Sequence, residues 1–161
     1  SMADPVFRNG YAKMEKYGLH YDLQTPWWHL QEAAVLAHDF PKTKIILNHT
    51  GLPSDRSEAG LAGWKEGMEA LAAQPNTAVK ISGICVPGEK WTVDLNREVV
   101  LETVRIFGVE RCMFASNFPV DGVVTTFDDI FNGFAEIVLC LPKSDQLKLF
   151  HDNALKYYRP V

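Results

Sequence analysis

Four short apolar runs in this chain end in polar side chains able to do chemistry. Asp22 and Gln24 close the first run, Asn48 and His49 the second, Lys80 and Ser82 the third, and Ser116 and Asn117 the fourth. One polar ending is ordinary, because every strand must reach the surface somewhere. Four in succession from Leu-, Ile- and Val-rich runs point to one shared polar mouth. His49, in Ile45-Ile-Leu-Asn-His-Thr-Gly-Leu-Pro53, is the leading candidate. An imidazole at a strand end can bind a metal or polarise a carbonyl near neutral pH, and a structural histidine bonded to a neighbouring loop is the equal alternative. Gly51, two residues on, permits close backbone approach of a ligand. Asn117 cannot act as a base, although its amide can orient a substrate oxygen or a water. Asp121, past the Pro119 turn, is the candidate replacement carboxylate, with backbone capping as its other reading. Lys80 either neutralises an anionic substrate or forms a structural ion pair. Trp27, Trp28 and His29 make an aromatic cluster that walls a pocket for a flat ring or packs against a helix. His20 falls at a strand start, and His38 and His151 fall on helix surfaces.

These residues need a scaffold that brings strand ends together, and the chain alternates strand-like and helix-like segments in the manner of βαβ units around a parallel sheet. The expected strands are Leu19 to Gln24, Lys44 to His49, Thr77 to Ser82 and Met113 to Ser116. A helix from Pro5 to Tyr17 precedes the first, with Gly18 as its cap. The next helix runs from Trp28 to His38, with Leu30, Ala33, Ala34 and Ala37 on one face. Further helices are expected over Leu61 to Ala73, Asn96 to Phe107 and Thr125 to Leu139, and one or two from Ser144 to Tyr158 with Ser144 as N-cap. In parallel α/β folds ligands collect at the carboxyl ends of strands. No short repeat or low-complexity linker divides residues 1–161, so one α/β domain is expected.

Composition narrows the class. Sixteen basic and twenty acidic residues, without charge runs, indicate neither a nucleic-acid track nor a polybasic membrane patch, which leaves a small-molecule substrate as the expected partner. No apolar run approaches the ~20 residues of a membrane span. Cys85, Cys112 and Cys140 are odd in number and lack CxxC spacing, which argues against a disulfide framework and for a reducing cytoplasm. The start at Ser1-Met2 fits a cloning remnant before an initiator Met or the interior of a longer chain. At 161 residues the chain is shorter than the ~250 of a closed eight-stranded barrel.

Five stretches in order resemble one family. They are Gly18-Leu-His-Tyr-Asp-Leu-Gln24, Ile45 to Pro53, Val79-Lys-Ile-Ser-Gly83, Arg111-Cys-Met-Phe-Ala-Ser-Asn-Phe-Pro-Val-Asp121 and Asp152-Asn-Ala-Leu-Lys-Tyr-Tyr158. Together they look like the second half of an amidohydrolase-2 type TIM-barrel hydrolase, a family with lactonases of the 2-pyrone-4,6-dicarboxylate hydrolase and fuconolactonase types and related decarboxylases. The resemblance implies four β/α units corresponding to strands five to eight of a (β/α)8 barrel, that is, a half-barrel. It implies hydrolysis of a lactone or related carboxylated small molecule by a parent longer than this chain, with His49, Asn117 and Asp121 at the catalytic positions. Asp22, Gln24, Trp27, His29, Lys80, Ser82 and Ser116 would line the substrate site. Two departures qualify this. The family's first-strand His-x-His pair has no counterpart, and Asn117 stands where many members have an aspartate that serves as metal ligand and base. One divalent metal such as zinc, touching His49, and no metal at all are both compatible with the resemblance. A half-barrel also leaves two sheet edges free, so a self-associating noncatalytic homo-oligomer that closes them is the alternative expectation.

Overall fold

The computed structural model describes residues 1–158. Four parallel strands form one sheet in the order β1-β2-β3-β4: Tyr21–Leu23, Ile45–Leu47, Thr77–Ile81 and Cys112–Phe114. The register aligns Asp22 with Ile46, Ile46 with Ala78, and Lys80 with Met113. Strand period two therefore gives the sheet two distinct faces. Leu23, Ile45, Leu47, Val79, Ile81, Cys112 and Phe114 look toward the helices and join the main apolar core. Asp22, Ile46, Ala78, Lys80 and Met113 occupy the other face, where Ile46, Ala78 and Met113 are covered by Ala154, Tyr157 and Tyr158.

The helices over the first face follow their sequence patterns. α3 (Leu30–Asp39) buries Leu30, Ala33, Ala34 and Ala37, and α4 (Glu58–Ala72) buries Trp64, Met68 and Leu71. Each large side chain so buried stabilises the fold by roughly 1.5–3 kcal/mol in transfer terms. α5 (Val93–Phe107) buries Val100 and Phe107. α6 (Phe127–Ile137) stacks Phe134 on Phe114 with ring centroids 4.3 Å apart.

Several boundaries differ from the sequence reading, and local hydrogen bonds explain most of them. The first helix is two pieces, α1 (Pro5–Tyr11) and α2 (Lys13–Lys16), joined at Ala12. α4 and α5 begin three residues earlier than expected because Ser57 Oγ caps Gly60 N–H and Thr92 Oγ1 caps Leu95 N–H. The first strand is shorter than expected, and Trp27–His29 forms a 3-10 turn ahead of α3. Ser144 is not an N-cap: Pro142 holds that position and Ser144 lies within α7 (Lys143–Leu147). After a π-turn at Lys148–Asp152, α8 (Asn153–Tyr158) crosses the amino end of β4. There buried Asn153 Nδ2 donates to Val109 O and Cys112 O, both at 2.7 Å. All three cysteines are free. No helix among the described residues is long and apolar enough to cross a membrane.

Candidate active site

β2 sets up the site because its backbone changes hand at the carboxyl end. His49, Thr50, Gly51 and Leu52 take φ of 55°, 54°, 71° and 56°. The left-handed region costs an L-residue roughly 1–2 kcal/mol, and β-branched Thr50 is the least suited to it. Neighbouring groups hold the turn in place. Trp64 Nε1 donates to Thr50 O at 2.8 Å, Thr50 Oγ1 donates to Lys80 O at 3.4 Å, and Leu52 N–H returns to His49 O at 2.8 Å. Strain maintained by a buried tryptophan at a strand end is the pattern of a functional site. Gly51 has another role than the expected ligand approach. A Cβ there would lie 3.2 Å from Leu30 Cδ1 and 3.6 Å from Trp27 Cβ, so core side chains fill that space.

The turn carries the His49 ring across to β3, where Nδ1 lies 2.9 Å from Ser82 Oγ. Gly83 makes this possible. At φ 56° its missing Cβ would fall 2.7 Å from His49 Nδ1 and 3.1 Å from Asn117 Nδ2, so both side chains rest on one glycine. Asn117 also takes a positive φ, 56°, which asparagine tolerates better than most residues. Its Nδ2 donates to Asp121 Oδ1 at 2.7 Å. Asp121 is only 6% exposed, on the 3-10 turn Val120–Val123, and its carboxylate bonds this side chain instead of capping a backbone amide. Cys85 adjoins the same carboxylate. Burial first, then the Asp121 charge and hydrogen bond, push its thiol up to about 12.

His49 itself is held below the usual histidine range, chiefly by burial and next by the Lys80 ammonium, while Asp121 pulls the other way. A neutral imidazole has one N–H donor and one acceptor nitrogen, and the Ser82 hydroxyl can satisfy Nδ1 in either tautomer. Asn48 Oδ1, next along the chain, is buried with no hydrogen-bond partner among the described residues.

Lys80 forms an ion pair with Asp22, Nζ to Oδ2 at 3.2 Å. Tyr158 secures that pair from α8: its hydroxyl donates to Asp22 Oδ1 at 2.7 Å and its ring centroid lies 5.2 Å from Lys80 Nζ. His20 meets the same ring edge-on at 5.0 Å. The structure thus gathers His49, Ser82, Asn117 and Asp121, with Asp22 and Lys80 along the same sheet face. The other sequence candidates have their contacts elsewhere. Ser116 Oγ accepts Phe118 N–H at 3.1 Å, and Gln24 is exposed at the end of β1. Trp27 lies on α4, where a Cβ on Gly63 would come within 2.7 Å of its ring, and Trp28 is 60% exposed. His29 stands 4.0 Å from Glu32 in the wall of a separate cavity beside β1. Gly83 and Cys85 are the members that sequence reading missed. Only the position of Gly83, directly after Ser82, hinted at its part.

No group of three His, Cys, Asp or Glu side chains able to hold a metal ion occurs among the described residues. His49 therefore lacks the partners of a metal site among these residues.

Residues 2–159 match the amidohydrolase family model. The chain belongs to the amidohydrolase family. Over 155 residues it is 44% identical to the uncharacterized protein y4mH of Sinorhizobium fredii strain NGR234, covering 96% of this chain and 52% of that protein. Over 164 residues it is 29% identical to an L-fucono-1,5-lactonase of Burkholderia ambifaria, covering 97% and 55% respectively. The crystal structure of an amidohydrolase from Burkholderia multivorans with bound HEPES shares its fold, with TM-score 0.92 at 21% identity, over 99% of this chain and 60% of that one. This amidohydrolase chain therefore spans about half the length of the curated relatives it matches.

Proposed function

We propose that this chain is one α/β domain carrying strands five to eight of a (β/α)8 barrel, and that its site belongs to a parent longer than this chain that hydrolyses a lactone or related carboxylated small molecule. The observation that carries the reading is the meeting of the His49 ring and the Asn117–Asp121 pair across Gly83. The His49 ring and the Asn117 amide flank Gly83, and Asn117 holds the Asp121 carboxylate, so the site carries a hydrogen-bond donor and a carboxylate, the two groups that ester hydrolysis uses. The sequence likeness to an L-fucono-1,5-lactonase supports the substrate class. Three free cysteines suit a reducing compartment such as the cytoplasm.

In this mechanism a neutral His49 fixed through Nδ1 by Ser82 donates from Nε2–H to the lactone carbonyl oxygen, where negative charge develops. Asn117 clamps Asp121 through Nδ2 and offers its own Oδ1 to a water. As the water oxygen bonds to the carbonyl carbon, Asp121 accepts its proton. Collapse of the tetrahedral species breaks the ring C–O bond, and the proton on Asp121 passes to the departing alkoxide, leaving the hydroxy acid. The low proton affinity of His49 suits it to act as a neutral donor.

The test is hydrolysis of a panel of aldono-1,5-lactones and carboxylated lactones by the wild type, His49→Gln and Asp121→Asn. Each substitution is expected to lower kcat/KM about 10²-fold or more, the range of a lost acid or base. Absence of turnover in the wild type, or equal turnover in all three proteins, removes the proposal.

A further inference from the structure

The loop after β2 carries a charged side chain with no part in the proposed chemistry. Arg56 lies between Asp55, whose Oδ1 accepts Ser57 N–H at 2.9 Å, and Ser57, the N-cap of α4, so its backbone is fixed on both sides. Its guanidinium reaches inward to the segment that follows β3. Nη2 donates to Ile84 O at 2.7 Å and to Asn96 Oδ1 at 3.1 Å. Asn96 is fully buried near the start of α5, where its Nδ2 donates to Thr92 O at 3.0 Å. One nitrogen of Arg56 therefore joins the β2 loop, the β3 loop and the start of α5.

The carbonyl that Arg56 holds is close to every member of the site. Ile84 follows Gly83, on which the His49 ring and the Asn117 amide rest. Ser82, bonded to His49 Nδ1, precedes that glycine, and Cys85, beside Asp121, follows Ile84. Residues 82–86 belong to no helix, strand or turn, so no regular backbone ladder fixes their course. The bond from Arg56 supplies a fixed point.

Fold stability alone does not account for an arginine here. Nε and Nη1 are buried without a hydrogen-bond partner among the described residues, and burial works against the charge, with Glu98 the main group opposing that effect. Unsatisfied buried donors cost stability, more so on a charged group, and apolar residues of similar volume often replace buried ionic groups without loss. We infer that Arg56 is a positioning residue, which by holding Ile84 O keeps residues 82–85 in the course that seats His49 against Ser82 and Asn117 against Gly83. It touches no reacting atom and acts through the loop. The inference takes its catalytic readout from the proposed hydrolysis, whereas its spectroscopic readout is independent of turnover.

Arg56→Met and Arg56→Gln in the longer parent protein test it. Methionine has no donor, and the glutamine amide ends at the place of Arg56 Nε, short of Ile84 O. In both variants the His49 ring nitrogen signals are expected to shift as the Ser82 contact loosens. The kcat for lactone hydrolysis is expected to fall by about 10²-fold, the scale of a misplaced catalytic group, with KM within about twofold of wild type. If Arg56→Met fails to fold, Arg56→Gln decides. His49 signals at wild-type positions in a folded variant, or an active parent whose kcat is unchanged by both substitutions, overturn the inference, even where the melting temperature falls. Shifted His49 signals in a parent that turns over no lactone keep the positioning role and remove only the proposed hydrolysis.

Discussion

Gly83→Ala isolates the geometry on which the site depends. The new methyl carbon would sit 2.7 Å from His49 Nδ1, 2.9 Å from His49 Cγ and 3.1 Å from Asn117 Nδ2, on a backbone at φ 56°. The left-handed conformation alone costs about 1–2 kcal/mol once a side chain is present. The first two contacts are shorter than real Cβ contacts, so the imidazole must move off Ser82, forfeiting a hydrogen bond of about 1 kcal/mol. The expected destabilisation is therefore about 2–3 kcal/mol from these terms together, read from the urea midpoint at constant m-value. The His49 ring signals should shift, and lactone turnover should fall with them. Gly10→Ala is the control, because no heavy atom lies within 4 Å of a Cβ there and the site is helical. It is expected to stabilise by up to about 1 kcal/mol. Gly83→Ala within about 0.5 kcal/mol of wild type, the range of ordinary surface changes, together with unshifted His49 signals, would refute the reasoning.

Further outcomes follow from the same contacts. The folded state holds His49 below its ordinary value, so the unfolded chain binds the proton more readily. Its contribution to stability is fully present above the unfolded value near 6.5 and is lost as pH falls through the folded value; denaturation midpoints of wild type and His49→Gln from pH 8 to 5 should converge toward the acid end. Asn153→Ala leaves buried Cys112 O without its donor, while Val109 O keeps Cys112 N–H, and calorimetry is expected to show a loss of about 1–3 kcal/mol. Thiol titration at pH 8 should label exposed Cys140 quickly. Cys85, pushed up to about 12, and buried Cys112 should react only on unfolding, and Asp121→Asn should make Cys85 more reactive.

Much of the scaffold was legible because each local rule agreed with the next. Apolar periodicity marked the buried faces of α3 and α4, and Gly18 and Gly108 fall at helix ends with positive φ as cap glycines do. The four strands were found in order, and His49 does fall just past the end of β2. What escaped depends on contacts across the chain. The hydroxyl of Tyr158 reaches Asp22 over 136 residues of sequence, and nothing local in either residue announces it. Burial of Asp121 arises from the turn that folds it back under Asn117, whereas turn aspartates in general cap backbone amides. Gly51 drew attention through its neighbours, yet the glycine that matters for His49 is Gly83, one strand away. The starts of α4 and α5 moved because Ser57 and Thr92, both polar and outside the apolar pattern, are caps.

Central to the proposed chemistry is that His49 and Asp121 serve one reaction from two sides. A double-mutant cycle in lactone hydrolysis tests this directly, comparing kcat/KM for the wild type, His49→Gln, Asp121→Asn and the double variant. Groups acting as a unit give strongly non-additive losses, so the double variant is expected to be scarcely slower than the worse single variant. Losses that add fully, or a wild-type rate unchanged by either substitution, would contradict it.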